Sequence, residues 1–200
     1  MQDNQDSLDL RTRILDAFMV RAKEHGVRAV STDELAKVVG ISKKTLYKEF
    51  RSKEEMVLGI LDRWEKHIKT ELPITDFDNP KQFAFANVER WYEIDAQFSQ
   101  QFWDDVSHDY PALTKKYFDC MFDVAREVGG RLMPYKKPGL SKEFVREAYL
   151  LLVMHTAQPD FYLKAKTPRK DAVLMGLDVW LDGALLLPES FSQRGDGEES

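Results

Sequence analysis

The sequence TDELAKVVGISKKTLYKEFRSKEEMVLGIL occupies residues 32–61 and contains two short segments with helical hydrophobic spacing. Gly40 ends the first segment, because glycine readily takes the left-handed conformation that terminates a helix. Ser42 follows almost at once and can cap a second helix from 43 to about 50. Two short helices joined only by Gly-Ile-Ser predict a helix-turn-helix.

The second helix of this pair has a polar face. Leu46 and Phe50 lie one helical turn apart, and we expect them to anchor the helix to the core. Lysines can contact phosphates or guanine edges, a threonine methyl can contact thymine, and a tyrosine hydroxyl can donate to a phosphate. Lys53 adds a cation beside backbone N–H groups that also favour phosphate. The exposed positions that could contact DNA are Lys43, Lys44, Thr45, Tyr47 and Lys48.

The distribution of charge is consistent with a polyanionic partner for this segment. The whole chain has a net charge of −5, which taken alone argues against nucleic acid. Residues 28–53 nevertheless contain seven basic and three acidic side chains, a balance of +4, so the remainder carries −9. An acidic protein with one basic segment can bind DNA through that segment.

A first helix, predicted for residues 9–25, precedes the pair. Its apolar residues recur at every fourth position from Leu10 to Ala22, and Gly26 follows as a terminator. Residues 1–7 are polar, and we expect them to be loose.

Two capping boxes mark helix starts within and after the pair. Ser31 and Glu34 have the Ser-x-x-Glu spacing in which each side chain bonds the other residue's backbone N–H. Ser52 and Glu55 repeat the spacing at the start of a fourth helix, which is predicted to end before Pro73. The residues expected to be buried on the second helix are Leu35, Val38 and Val39.

The remaining sequence is also helical in pattern, since no stretch alternates polar and apolar residues for long enough to indicate a strand. A proline-containing interval at 72–79 separates it from the first part. The further helices are predicted at about 80–107, 111–132, 141–157 and 168–186. Residues 188–200 are polar and acidic, and we expect a disordered tail there. The predicted fold class is all-α.

The segment from Thr32 to Leu61 resembles the DNA-binding domain of the TetR family of bacterial regulators. That family typically shows the pattern Gly-Val/Ile-Ser-x-x-Thr-Leu-Tyr-x-x-Phe-x-Ser/Asn-Lys-x-x-Leu. Met56 stands where the family often has leucine. The matching residues in this chain are Gly40, Ile41, Ser42, Thr45, Leu46, Tyr47, Phe50, Ser52 and Lys53.

The resemblance implies a three-helix DNA-binding domain at residues 8–62, followed at 63–187 by a helical domain that binds an effector and dimerises. It further implies a homodimer on double-stranded DNA with a two-half-site operator, and a repressor released by a small molecule. By its position in the segment that resembles the family, Thr32 is added to the residues expected to contact DNA. The predicted DNA-binding set is Thr32, Ser42, Lys43, Lys44, Thr45, Tyr47, Lys48 and Lys53.

Residues 83–122 are dense in aromatic side chains. The plain interpretation is that each ring belongs to the core. Large rings on successive helices also tend to line a gap, and helical domains often enclose apolar pockets with a few polar groups. We therefore predict a small, largely apolar effector. Its predicted pocket is lined by Trp91, Asp95, Phe98, Phe102, Trp103, Tyr117, Met121 and His155.

The last predicted helix is apolar over more than one face. One face can pack on its own domain, and a second subunit would cover the other through a two-fold four-helix contact with the 141–157 helix. Burial wholly within one chain is the alternative. The predicted dimer interface consists of Leu177, Trp180, Leu181 and Ala184.

Catalytic, metal and cofactor chemistry find no support in the sequence. The four histidines lack metal-ligand spacing, and no glycine-rich phosphate loop or Gly-x-Ser-x-Gly motif occurs. The single cysteine, Cys120, fits a reducing interior. With no signal segment and no apolar run that could cross a bilayer, we expect a cytoplasmic protein without metal, cofactor or membrane partner. A constitutive DNA-binding protein without effector and a helical enzyme are the alternative functions.

Overall fold

The computed structural model describes residues 2–75, 77 and 79–186, and the regular elements of this part are helices. The prediction of an all-α fold is thereby confirmed. An isolated antiparallel bridge joins Lys136 to Leu185. The tail predicted at 188–200 lies outside the described residues.

Ten α-helices and a short 3₁₀ helix at Met133–Tyr135 make up the described part of the chain. The α-helices are α1 Gln2–His25, α2 Thr32–Val39, α3 Lys43–Glu49, α4 Lys53–Glu71, α5 Pro80–Asp95, α6 Gln100–Asp109, α7 Pro111–Leu132, α8 Lys142–Thr156, α9 Pro159–Tyr162 and α10 Arg169–Ala184.

The first helix is longer than predicted, because α1 begins at Gln2 rather than near Asp9. No glycine or proline occurs among residues 2–9, so nothing in the backbone interrupts the helix there.

The second helix differs from the prediction at its start and on its buried face. Ser31 makes no capping hydrogen bond through its side chain, and Glu34 pairs with Arg21 at 3.1 Å instead. Val38, expected to be buried, is 58% exposed, and Ala36 takes the buried position. The buried stripe of so short a helix is narrow, and Val38 lies outside it.

The capping box at the start of α4 forms largely as predicted. The hydroxyl of Ser52 accepts a hydrogen bond from the backbone N–H of Glu55 at 3.2 Å. The carboxylate of Glu55 accepts one from the backbone N–H of Arg51 at 2.7 Å, one residue before the expected partner. Two N–H groups at the helix start are thus satisfied.

The prediction of a single helix over 80–107 is wrong, because the structure has two helices there, α5 and α6. Ser99 caps α6, with its hydroxyl accepting from the N–H of Phe102 at 3.3 Å. The N–H of Ser99 donates to the carbonyl of Lys23 at 2.7 Å, a contact outside its own helix. Ser99, which lies in the middle of an apolar pattern, therefore marks the start of a new helix.

One compact unit consists of the residues up to Ile68 together with Ile94–Asp119. Within it α1 contacts α2, α3 and α6. The unit therefore contains α6 in addition to the four N-terminal helices. Its fully buried side chains include Phe18, Leu35, Leu46, Ile60 and Phe102.

A second compact unit consists of Lys69–Glu93 and the chain from Cys120 onward. Its most extensive helix–helix packing is between α8 and α10. Gly176 permits this approach, since a Cβ there would lie 2.8 Å from Cδ2 of Leu152. Leu177 and Leu181 of α10 are completely buried.

Candidate nucleic-acid interface

The turn between α2 and α3 has the geometry that the sequence predicts. Gly40 has a φ of 76°, in the left-handed region, and its N–H donates to the carbonyl of Lys37 at 3.2 Å. The N–H of Ile41 donates to the carbonyl of Ala36 at 2.9 Å. Leu46 and Phe50 are buried and hold α3 against the unit. The remaining face of α3 is left to solvent.

The predicted DNA-contacting residues lie together on and around α3. Lys43, Lys44, Tyr47 and Lys48 are exposed, and Thr32 and Thr45 are half-buried. The hydroxyls of Thr32 and Tyr47 are 3.5 Å apart, so α2 and α3 present two hydroxyls side by side. Paired hydroxyls of this kind can donate to one phosphate.

Ser42 has a structural role in this arrangement. Its hydroxyl accepts from the N–H of Thr45 at 3.0 Å and contacts the Thr45 hydroxyl at 2.8 Å. The cap predicted at this serine is confirmed. It orients the Thr45 side chain at the first turn of α3.

The cations around α3 are in different surroundings. Lys43 forms an ion pair with Asp33 at 2.9 Å, and the hydrogen bond to this carboxylate raises the pKa of Lys43. Lys53 is half-buried, and its ammonium donates to the carbonyl of Val27 at 3.0 Å. Burial lowers the pKa of Lys53. Lys44 and Lys48 are exposed on α3.

Arginines of α1, which the sequence did not single out, bond the ends of the helix pair. Arg13 donates to the carbonyl of Val39 at 3.0 Å, at the C-terminus of α2. Arg11 donates to the carbonyl of Glu49 at the C-terminus of α3 and to Glu55 at 3.0 Å. Cations at helix C-termini satisfy carbonyls that lack a helical partner. The only signal of these contacts in the sequence is that Arg11 and Arg13 are basic residues on the polar face of α1.

Comparison with known proteins gives the family. Residues 14–60 match the model of the family described as bacterial regulatory proteins, tetR family. The helix-turn-helix segment of this chain is therefore of the TetR type. No match is found among curated protein sequences.

Solved TetR-type structures share the fold along most of the chain. A transcriptional regulator from a Rhodococcus species is 19% identical with a TM-score of 0.60, covering 89% of this chain and 99% of that chain. A TetR regulator from Chloroflexus aurantiacus is 12% identical with a TM-score of 0.61, covering 92% and 100%.

SmeT, the repressor of the Stenotrophomonas maltophilia multidrug efflux pump SmeDEF, is 17% identical with a TM-score of 0.57, covering 88% and 90%. SmeT is also known in a complex with triclosan. At these identities the likeness is one of fold.

The residues predicted to line an effector pocket are divided among three places. Phe98, Phe102, Trp103 and Tyr117 belong to one ring cluster with Trp64, with centroids of neighbouring rings 4.6–5.8 Å apart. Asp95 is buried beside this cluster and accepts a hydrogen bond from the Tyr117 hydroxyl at 2.7 Å. These residues pack against one another in the first unit.

Trp91 and Met121 line a small apolar cavity of about 40 Å³ in the second unit. The cavity lies among α5, α7, α8 and α10, and residues that the sequence did not single out complete its wall. His155 lies elsewhere, exposed on α8 with its ring edge-on to Phe161 at 5.4 Å. The additional cavity residues are Asn87, Val88, Tyr92, Val124, Ala125, Val128, Tyr149, Val153, Ala157 and Val173.

The residues predicted for a dimer interface are all buried within the single chain, with Leu177 and Leu181 fully so. The exposed apolar side chains of the same helix pair are Leu151 on α8, 72% exposed, and Met175 and Val179 on α10, 64% and 72% exposed. These three residues line an apolar groove of about 590 Å³ that also includes His155.

Neither a metal-ion site nor a membrane-spanning helix occurs among the described residues. No group of three or more histidine, cysteine or carboxylate side chains is arranged to hold a metal ion in this part of the chain. None of the helices described here has the length and apolar character that a membrane span requires.

Proposed function

We propose that the chain is a repressor that binds double-stranded DNA as a homodimer through residues 8–62, and that a small, largely apolar effector bound in residues 63–187 releases it. The observation that carries the proposal is the exposed, cationic face of α3, held in place by buried Leu46 and Phe50. A short helix anchored on one face and cationic on the other can enter the major groove.

Individual residues are assigned roles by their surroundings. Tyr47 and Lys53 contact phosphates. The Tyr47 hydroxyl lies 3.5 Å from that of Thr32, the first residue of α2, and Lys53 is the first residue of α4, so both are beside helix N-termini, whose N–H groups favour anions. Lys44 reads bases, since it extends from the exposed first turn of α3 and a lysine can donate to guanine N7 and O6. Thr45 offers a methyl group to thymine.

A dimer would place two such helices on two half-sites of one operator. The support is the apolar groove between α8 and α10, whose exposed residues Leu151, Met175 and Val179 are unfavourable in water. A second copy that packs its own α8 and α10 on this groove would bury them in a four-helix contact. We therefore assign the interface to these residues rather than to the buried ones.

The effector is proposed to bind at the cavity lined by Trp91 and Met121, because its wall is almost entirely apolar. Asn87 and Tyr149 are the polar groups that could orient a ligand. Triclosan, the ligand of the similarly folded SmeT, is a small aromatic compound of the expected kind. A cavity of about 40 Å³ must widen to admit such a molecule, which couples binding to movement of the helices around it.

The DNA-binding part is tested by recovering and sequencing the genomic fragments that the protein retains. A shared two-fold sequence among the fragments is expected. Lys53→Ala and Tyr47→Phe should weaken binding to all sequences about equally, whereas Lys44→Ala should change the recovered consensus. The same consensus for Lys44→Ala and the parent would contradict the assignment of Lys44 to bases.

The effector part is tested by screening small aromatic compounds for a rise in melting temperature and for release of operator DNA. A ligand at a hundredfold excess over its dissociation constant stabilises the fold by about 2.7 kcal/mol. Compounds that raise the melting temperature without releasing DNA would contradict regulation through this cavity.

A constitutive DNA-binding protein without effector is the second candidate. The observation that favours it is the cavity volume, since 40 Å³ accommodates only a few water molecules. It predicts that no compound from the screen both stabilises the protein and releases DNA.

A further inference from the structure

Asp105 on α6 is a completely buried carboxylate, 0% exposed. Its Oδ2 accepts a hydrogen bond from the backbone N–H of Arg28 at 2.8 Å, and its Oδ1 accepts one from the amide of Gln101, also at 2.8 Å. A buried carboxylate is tolerated only when it is paired and hydrogen-bonded. Asp105 therefore holds α6 against the segment 26–28, which follows α1.

Asp109, one helical turn further along α6, holds the side chain of the same arginine. Its two oxygens accept from Nε and Nη2 of Arg28 at 2.7 and 2.6 Å, a bidentate pair. The Arg28 guanidinium keeps the pKa of Asp109 well below its usual range. Arg28 is thus held through its backbone N–H by Asp105 and through its guanidinium chiefly by Asp109, with Oδ1 of Asp105 a further 3.6 Å from Nε.

Gly26 allows this close approach of the segment to α6. Its φ of 85° lies in the left-handed region, and a Cβ at this position would lie 2.6 Å from Oδ2 of Asp105 and 2.6 Å from Cγ of Gln101. A larger residue would force the segment away from the carboxylate.

Val27 lies between Gly26 and Arg28 in the chain and connects their contacts with α6 to the proposed DNA-binding surface. Its carbonyl accepts a hydrogen bond from the ammonium of Lys53 at 3.0 Å. An ammonium has three N–H donors, so two are left for a phosphate. The position of the Lys53 ammonium therefore depends on where α6 holds the segment 26–28.

We propose that Asp105 and Asp109 are positioning residues for DNA binding: they hold the segment 26–28 so that the Val27 carbonyl keeps the Lys53 ammonium where a DNA phosphate can meet it. The inference rests on the proposed function, since the contact of Lys53 with phosphate is part of that proposal.

The direction of the change in DNA affinity distinguishes a loss of positioning from a change in net charge. Removing a carboxylate from a DNA-binding unit makes its field more positive, which by itself tightens binding to a polyanion. Loss of positioning has the opposite effect, because Lys53 then makes a poorer phosphate contact. Asp104 provides the matched control: it lies on the same helix, is exposed, and bonds the amide of Gln100 at 2.9 Å rather than Arg28.

The experiment measures binding of the full chain to a fluorescent DNA duplex of random sequence over a series of salt concentrations. Asp109→Asn should weaken binding several-fold and reduce the slope of log affinity against log salt by about one unit for each subunit bound. Asp104→Asn should leave the slope unchanged and tighten binding slightly. Lys53→Ala should weaken the parent but add little to Asp109→Asn, because the contact is already impaired.

Asp105→Asn tests the buried carboxylate in the same assay, with its fold checked by circular dichroism. If Asp105→Asn does not fold, the exposed Asp109→Asn still decides the question. Tighter binding by Asp109→Asn, or fully additive effects of Asp109→Asn and Lys53→Ala, would overturn the positioning role. A parent chain that fails to bind the duplex at low salt would instead overturn the proposed function.

Discussion

The ammonium of Lys43, the first residue of α3, lies 2.9 Å from the carboxylate of Asp33 in the first turn of α2. One cation of the surface proposed to contact DNA is therefore partly neutralised within the protein. Both side chains are at least half exposed, so the pair adds little to stability. In the proposed function, Asp33 would compete with a DNA phosphate for the Lys43 ammonium.

The first prediction is that Asp33→Asn strengthens non-specific DNA binding. Lys43 then becomes available to a phosphate, so the salt dependence should steepen by about one unit of slope for each subunit bound. Fluorescence anisotropy with a random duplex at several salt concentrations measures both quantities. Glu34→Gln is the control, because this neighbouring carboxylate pairs with Arg21 and not with a lysine of α3. Equal steepening by the two variants would argue against a specific competition at Lys43.

A second prediction concerns the groove between α8 and α10. Leu151→Glu or Val179→Glu should yield folded monomers, since a charge placed in an apolar interface is costly to bury. Light scattering gives the mass, and circular dichroism confirms the fold. Val20→Glu, an equally drastic change at a residue of α1 that is 61% exposed, should leave the mass unchanged. A parent chain that is already monomeric at micromolar concentration would refute the dimer.

Met121 tests the cavity in the second unit. Met121→Ala should destabilise the protein by about 2–5 kcal/mol, because it removes buried methylene groups and enlarges the cavity. Met121→Leu, of similar volume, should cost less than about 1.5 kcal/mol. Small aromatic compounds should then raise the melting temperature of Met121→Ala more than that of the parent. An equal shift for both proteins would place the compounds elsewhere.

Asp109 gives a prediction for the dependence of stability on pH. Its pKa in the folded protein is lowered, first by the hydrogen bonds from Arg28, so the folded state favours the ionised carboxylate. The resulting stability is present above the unfolded-state pKa of about 3.9 and is lost as pH falls below it. Asp109→Asn should therefore be less stable than the parent near pH 7, with the difference shrinking at lower pH. Urea denaturation at several pH values measures it, and a constant difference down to pH 3 would contradict this assignment.

Local signals in the sequence were sufficient for the helix-turn-helix and for most of the helices. Gly40 and Ser42 act through their own backbone and the next turn of chain, so their roles can be recognised without knowledge of the fold. The same holds for Leu46 and Phe50, whose spacing alone identifies the buried face of α3. The exposed residues of α3 follow from that face by exclusion.

Contacts distant in sequence were decided only by the tertiary structure. Nothing near Asp105 in the sequence indicates that its partner is Arg28, 77 residues earlier. The sequence alone does not distinguish a buried aspartate from an exposed one. Likewise, an aromatic stripe predicts burial but not which unit the rings enter, so Trp91 and Phe102 looked alike although one lines a cavity and the other packs in a ring cluster. Helical periodicity shows which residues share a face, whereas the neighbour covering that face depends on how distant helices pack.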